Sequence, residues 1–359
     1  MIMKKLFLFL MLTVISYSDT WHAFYEKKKN NMFGDQLYIG YKDKNNVIKI
    51  KPIFMGFSHA KKFDDIIAVM TESERNSTKY LQYYLTKSGR KVGKSETFKG
   101  IMYNSDATYD CENEGHIRFR KDDFIGLLDK NGDVSISAKY NYLSRVHNGL
   151  VIALHGAKKE YENKHKEDGC NHFFYKDGNL KVLNDKGKVL IKNFDDEKNT
   201  LDLYSLEITE HVSKKSYCRS YLGTDKKYYT FEIYTKKFLK WMDNNIFIDL
   251  SLKNILKNTH TGYIKKVKEN INILKKTLEK IKNKSIKYYL STSAVYSFEY
   301  KNKIYEKFFN NCGQYREFKY PSLTFYIRNN KGTNDYISFL KIDDNYHLID
   351  FSLTNEVGK

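Results

Sequence analysis

Proline is almost absent: two residues in 359, which excludes proline-rich linkers and semi-rigid spacers. Cysteine is scarce too. The four residues, Cys111, Cys170, Cys218 and Cys312, make no C-x-x-C pair, so a structural zinc site of the common kind is excluded. Beyond residue 15 no long apolar run occurs. A membrane span needs about twenty such residues, so a spanning segment is not expected in the mature chain. Acidic residues are outnumbered, and the formal net charge is +19. The excess is carried by lysine rather than arginine, which argues against base readout, because guanine recognition relies on the arginine fork. Nucleic acid is therefore not an expected partner, whereas an anionic surface is a possible one. No G-x-S-x-G and no H-E-x-x-H is present, so two familiar hydrolase frames are missing.

What is abundant is aromatic: 30 Tyr and 23 Phe, within an apolar fraction of 41%. That is enough for a core, and it favours strands. At the amino end, Lys4 and Lys5 precede the ten-residue apolar run Leu6 to Ile15, and Ser16-Tyr17-Ser18 offers small residues at a cleavage point. This is the pattern of a secretory signal peptide over residues 1–18, with Asp19 opening the mature chain. No cysteine sits at the cleavage point to carry a lipid anchor. The expected location is periplasmic or secreted.

Internal repeats organise the next two hundred residues. YIGYKDKNNVIKIKPIF (38–54) aligns with FIGLLDKNGDVSISAKY (124–140), matching Ile39-Gly40 to Ile125-Gly126 and Asp43-Lys44-Asn45 to Asp129-Lys130-Asn131. Further copies are LQYYLTKSGRKV (81–92), LKVLNDKGKVLI (180–191), which follows an insertion of about a dozen residues, and the weaker SYLGTDKKYYTFEI (220–233). Each reads as strand, tight two-residue turn, strand. Ser88-Gly89, Asn131-Gly132 and Lys186-Gly187 supply the positive φ of such turns. A third extended run follows, as in Ile66 to Met70 and Gly149 to Leu154. One such unit cannot bury its apolar face, but stacked copies can.

These units resemble those of the WG-repeat proteins: hydrophobic-Gly at 39–40 and 125–126, Asp129-Lys130-Asn131-Gly132 at the turn, Lys51-Pro52-Ile53-Phe54 and Ala138-Lys139-Tyr140 after it, and Phe63 to Val69 or Asn148-Gly149-Leu150 in the tail. Ile stands where that family has Trp. The resemblance covers about 35–233. It implies an often exported bacterial protein with no shared enzymatic activity.

From Tyr234 the texture changes. Ile264, Val267, Ile271, Leu274, Leu278 and Ile281 step by three and four, which predicts one amphipathic helix. Strands are expected at Ala294–Tyr300, Lys303–Phe309, Ser322–Arg328, Asp335–Ile342 and Tyr346–Leu353. The ending 336–353 is similar to the last hairpin of NTF2-like or cystatin-like domains. The expected fold class is mainly β: an array of β-hairpin repeats over 19–233, then an α+β part over 234–359 with helices packed on a curved antiparallel sheet.

The candidate chemistry is thin. Gly89-Arg90-Lys91-Val92-Gly93-Lys94-Ser95 imitates a phosphate loop but has three residues between its glycines where four are needed. Asp129 to Asp133 imitates a calcium loop without its bidentate Glu. His165, Asp168, Cys170 and His172 cluster in the insertion, with a spacing that fits no familiar metal site. The pairs Asp64-Asp65, Asp195-Asp196 and Asp343-Asp344 fall at turns, where carboxylates are usually solvated. No catalytic, cofactor or metal residue is therefore assigned. In an oxidising compartment four cysteines allow two disulfides with three connectivities. Cys111 and Cys170 each lie just ahead of a repeat's first strand, so stacking of neighbouring repeats favours that pair; free thiols are the alternative. The functional expectation is an exported, non-catalytic binding module that contacts an envelope or extracellular protein or glycan. The alternative is a hydrolase of envelope glycan or cell wall, with its site in the carboxy-terminal domain.

Overall fold

The computed structural model describes residues 19–30, 34–56, 58–73, 76–95, 100–104, 108–161, 173–195, 200–293, 305–328 and 334–354. The expected leader, and the cluster His165, Asp168, Cys170 and His172, lie outside the described residues. The chain is mainly β, with an α+β part at its carboxy end. Among the described residues no helix is long and apolar enough to cross a membrane.

The five repeat copies are five antiparallel hairpins. They are Gly34–Lys42 with Ile48–Phe54, Asn76–Thr86 with Lys91–Ser95, Phe124–Leu128 with Val134–Tyr140, Asn179–Asn184 with Val189–Ile191, and Cys218–Leu222 with Tyr228–Ile233. All five turn in the same way. The fourth turn residue donates its N–H to the carbonyl of the first: Asn46 to Asp43 at 3.0 Å, Gly89 to Thr86 at 2.9 Å, Gly132 to Asp129 at 2.9 Å, Gly187 to Asn184 at 3.0 Å and Lys226 to Gly223 at 3.2 Å. The first donates in turn to the carbonyl of the fifth, as Asp43 does to Val47 at 3.0 Å. The fourth residue has φ of 62°, 90°, 78°, 80° and 66° respectively. This is a three-residue loop ending in a left-handed residue, not the expected two-residue turn. The left-handed residue adds a bulge to the ladder. Two units fill that position with Asn46 and Lys226 rather than glycine.

A third strand completes each sheet, and it comes from the chain preceding the hairpin. Trp21–Asn30, Ile66–Ser73, Ile117–Lys121 and Leu150–His155 pair with the first strand of the hairpin that follows. The fifth unit departs from this order: Leu201–Thr209 pairs with the second strand, Tyr228–Ile233. In the fourth unit the inserted residues form an extra ribbon, Lys158–Tyr161 with Phe173–Lys176.

The sheets stack in a row, with a hydrophobic layer between neighbours. Ile39 and Tyr41 of the first sheet meet Ile67 and Val69 of the second. The opposite face of that strand, Ile66, Ala68 and Met70, meets Ile117 and Leu128 of the third. Ile125, Leu127 and Ile136 then meet Val151, Ala153 and Leu183 of the fourth, whose other face packs Leu150, Ile152 and Val182 on Leu201, Tyr221 and Phe231 of the fifth. Burial on both faces explains why Ile66 to Met70 and Leu150 to Leu154 are continuous apolar runs. The Ile-Gly dipeptides also have a packing reason. A Cβ on Gly40 would lie 2.7 Å from the Phe24 ring, and one on Gly126 would lie 2.5 Å from the Phe119 ring, so each glycine admits an aromatic ring from the paired strand.

Helix begins at Tyr234, directly after the fifth hairpin. The helices Tyr234–Asn245, Leu252–Lys257, Ile264–Glu269 and Ile271–Lys282 pack on the sheet Tyr289–Ser293, Ser322–Arg328, Asn334–Ile342, Asn345–Ser352. Phe238 anchors this core, its ring centroid 5.5 Å from Phe325, 5.3 Å from Phe339 and 5.0 Å from Tyr346. The single amphipathic helix expected over 264–281 is interrupted at Asn270 (φ −122°, ψ 21°), whose side chain bonds the Lys266 carbonyl at 3.0 Å. Val267, Leu274, Leu278 and Ile281 are nonetheless buried in one cluster. The strand expected at Lys303–Phe309 is instead a turn of 3-10 helix at Glu306–Phe308, held by its N–H to carbonyl bonds. Ala294–Tyr300 lies outside the described residues.

Candidate functional site: a cleft under a disulfide-held strap

Between the first and second strands of the carboxy-terminal sheet, residues 305–320 leave that sheet and run along the repeat array as a strap. Near the early units, the Asn311 carbonyl accepts N–H bonds from Lys61 at 2.7 Å and Lys62 at 3.0 Å, and Lys62 pairs with Glu306 at 2.7 Å. The Asn311 amide donates to Asp64 at 2.9 Å and to Glu112 at 2.6 Å. Cys312 forms a disulfide with Cys111, 201 residues earlier, and both cysteines are buried in the layer between the first two sheets. Towards the late units, Phe318 stacks on His147 at 4.2 Å, and its carbonyl accepts from the Tyr234 hydroxyl at 3.1 Å. A buried ion pair between Lys341 and Asp202 fastens the sheet itself to the fifth unit.

The disulfide corrects the sequence expectation: Cys111 bonds Cys312, not Cys170. Proximity to repeat boundaries favoured a partner in a neighbouring repeat. The true partner returns on the strap, which local repeat logic does not contain. Cys218 is a free, partly exposed thiol, and Cys170 lies outside the described residues.

Strap and array enclose a cavity of about 480 Å³. Arg118, Arg145, His147 and Tyr204 line it from the array. Arg316, Phe318 and Lys319 line it from the strap. Beneath the floor lies Asp110, buried, with Oδ2 accepting from Arg118 Nε at 2.9 Å and Oδ1 from Arg118 Nη2 at 2.7 Å and Arg145 Nε at 3.0 Å. Burial alone would raise its pKa, but the two guanidinium charges outweigh burial and hold the carboxyl well below the usual range. Asp110 thus fixes two guanidinium planes side by side. His147 is pushed down to about 4, chiefly by burial, with Glu114 opposing and Arg145, Arg118 and Arg316 assisting. It is a neutral ring at ordinary pH.

Glu112 behaves in the opposite sense. Burial, and then the Asp64 and Asp65 charges, push it up to about 7 against the bonds from Gly115 N–H and Asn311. Such a group suits general acid chemistry on its titration. Asp64, Asp65 and Glu112 do not line the cleft, however, and Asn311 engages both Asp64 and Glu112. Asp64 and Glu112 clasp the strap.

The other residues singled out by sequence are dispersed. The Asp129 carboxylate accepts two backbone N–H bonds at 2.9 Å within its own turn, which accounts for the calcium-loop likeness. Gly89 belongs to the hairpin turn, with φ 90°. Asp195 accepts from Tyr221 at 2.5 Å and Arg219 at 3.2 Å, while Asp196 is outside the described residues. Among the described residues no group of His, Cys, Asp and Glu is placed to hold a metal ion.

Sequence reasoning passed over Arg118, Arg145 and Arg316. One signal was available. Only eight of the 62 Lys and Arg residues are arginine, and three of those eight line this cleft. In a lysine-rich chain, arginine marks places where a rigid, planar donor fork matters. No known family, curated protein or solved structure matches the chain.

Proposed function

We propose that this chain is an exported binding protein of WG-repeat type that holds its ligand in the cleft between repeat array and strap, without catalysing its conversion. The observation that supports this reading is the cleft itself. Its volume lies in the range of small-molecule sites, and its walls offer guanidinium groups and aromatic faces, with no nucleophile set against a base among the described residues. His147 stacks on Phe318, and its neutral state is maintained by burial, so it braces the wall rather than shuttling protons. The partner is an envelope or extracellular component presenting a group small enough to enter the cleft.

A hydrolase of envelope glycan is the second reading, favoured by one observation: the elevated Glu112 beside Asp64. Cosedimentation of residues 19–359 with an envelope fraction separates the two. Binding that is lost in R316Q/K319Q, with no soluble fragments released, supports the cleft as a binding site. Equal sedimentation of the variant refutes it. Steady release of glycan fragments that stops in E112Q favours the hydrolase.

A further inference from the structure

We infer that the cleft selects a small organic oxyanion, a carboxylate or phosphate carried on a body of one or two sugar rings in size, gripped by Arg145 from the array and by Arg316 and Lys319 from the strap. This rests on the proposed binding role and names the chemistry of its ligand.

The argument is one of which donors remain. Apart from Tyr142, the neutral polar side chains of the cleft are engaged internally. Asn104 donates to Thr108 at 3.1 Å and to the Tyr109 carbonyl at 2.9 Å. Asn310 donates to Gln314 at 3.1 Å and accepts from Cys312 N–H at 3.0 Å. Ser144 donates to the Arg145 carbonyl at 2.7 Å and accepts from Ile152 N–H at 2.9 Å. A site built to read the hydroxyls of a neutral sugar would leave such groups available. Here the cations have capacity in reserve. Among the described residues, Arg316 and Lys319 form no ion pair: Arg316 gives one hydrogen bond to the Tyr204 hydroxyl, and Lys319 lies over the Tyr204 and Tyr320 rings. Arg145 meets its carboxylate through Nε, leaving the fork end with one long contact, 3.4 Å to Asn104. Arg118 gives Nε and Nη2 to Asp110 and Nη1 to the Leu143 carbonyl at 3.0 Å, so it acts as a positioning residue for the Asp110–Arg145 pair.

The charge balance agrees. Four cations line the cleft against one carboxylate, the exposed Glu317. Glu114 is turned away, accepting N–H bonds from Asn148 and Gly149 at 2.9 Å and the Tyr204 hydroxyl at 2.8 Å. Partly enclosed guanidinium groups favour an oxyanion because the charge-assisted bond forms where water screens it least. The Phe318–His147 stack supplies an apolar face for the body of the ligand.

Calorimetry on the full mature chain tests this with glucose 6-phosphate and glucuronate against glucose, three ligands of one ring size. At least tenfold tighter binding of either anion than of glucose is expected. It should fall at least tenfold in R316Q/K319Q, stay unchanged in K253Q, a lysine exposed on a distant helix, and weaken as salt rises. An unchanged thermal midpoint in R316Q/K319Q shows that the variant still folds. The phosphate and uronate arms identify which oxyanion is preferred. Glucose binding as tightly as the anions, no binding of any of the three, or anion binding unaffected by R316Q/K319Q overturns the inference. If envelope sedimentation still depends on Arg316 and Lys319 in that case, the binding role stands and only the ligand class falls.

Discussion

Replacing Cys111 and Cys312 together by alanine should destabilise the protein by about 3–5 kcal/mol. The bond closes a loop of 201 residues. Chain entropy alone assigns such a loop about 5 kcal/mol at 25 °C, and measured disulfides commonly deliver about 2–4. The non-covalent part of the strap remains in the variant: the Asn311 clasp, the Lys62–Glu306 pair and the Phe318–His147 stack. The loss should therefore appear as a shift of the whole unfolding curve and not as a detached strap. With a urea slope of roughly 3–4 kcal/mol/M for a chain of this size, the midpoint should drop by about 1 M. Non-reducing peptide mapping gives the complementary readout. The peptide holding Cys111 should be linked to the one holding Cys312, and Cys170→Ala should leave that link intact. A midpoint within about 0.3 M of the parent, or a Cys111–Cys170 peptide, would refute the assignment.

Three further outcomes follow from the geometry. Glu112 has a folded value of about 7 against an unfolded one near 4.5. The native state therefore binds the extra proton, and its contribution is full below about pH 4.5 and fades as pH rises through 7. E112Q should thus gain up to about 3 kcal/mol over the parent at pH 8 and little at pH 4.5, read from urea midpoints. His147, depressed to about 4, works the other way, losing stability as pH falls from 6.5, though less because its ring is partly open to solvent. The E112Q-minus-parent difference isolates the glutamate, and a flat difference from pH 5 to 8 contradicts the clasp. Asp110→Asn should cost about 3 kcal/mol or more, since it leaves two largely buried guanidinium groups sharing no counter-charge. A chemical melt within 1 kcal/mol of the parent argues against that pairing. Gly126→Ala should cost about 2–3 kcal/mol, because its Cβ would meet the Phe119 ring at 2.5 Å and the Ile136 carbonyl at 2.7 Å. Gly89→Ala, with open space around it and φ 90°, should cost about 1. Equal losses at both positions would mean that backbone conformation, not ring contact, sets the requirement for glycine.

The hairpins were legible because everything that makes them is local. Asp43, Asp129 and Asn184 each accept backbone N–H bonds from residues two and four further on, so the turn is written within five residues. The continuous apolar runs at 66–70 and 150–154 likewise announce strands buried on both faces. What sequence assigned incorrectly was ownership: those runs complete the sheet of the following hairpin, not the preceding one. A period of repeats cannot reveal this, because shifting the unit boundary by one strand leaves the period unchanged. The break at Asn270 was hidden for a similar reason. The apolar spacing continues through it, since both short helices turn the same face to one core.

The cleft was illegible for a different physical reason. Its parts lie at 118, 145 and 316, and they meet only because the strap returns to the array. Contacts of that sequence separation carry the largest loop-closure cost, and here a covalent bond and an acid clasp hold the return in place. A chain needing only five stacked hairpins would have no use for this device, because the layers between sheets are already filled by their own apolar residues. The strap adds little to those layers beyond Cys312 and Phe318. What it adds is the second wall of a cationic cavity, and three of the eight arginines in the sequence are placed there. This concentration of rigid donors where the strap returns to the array is what the proposed binding role rests on.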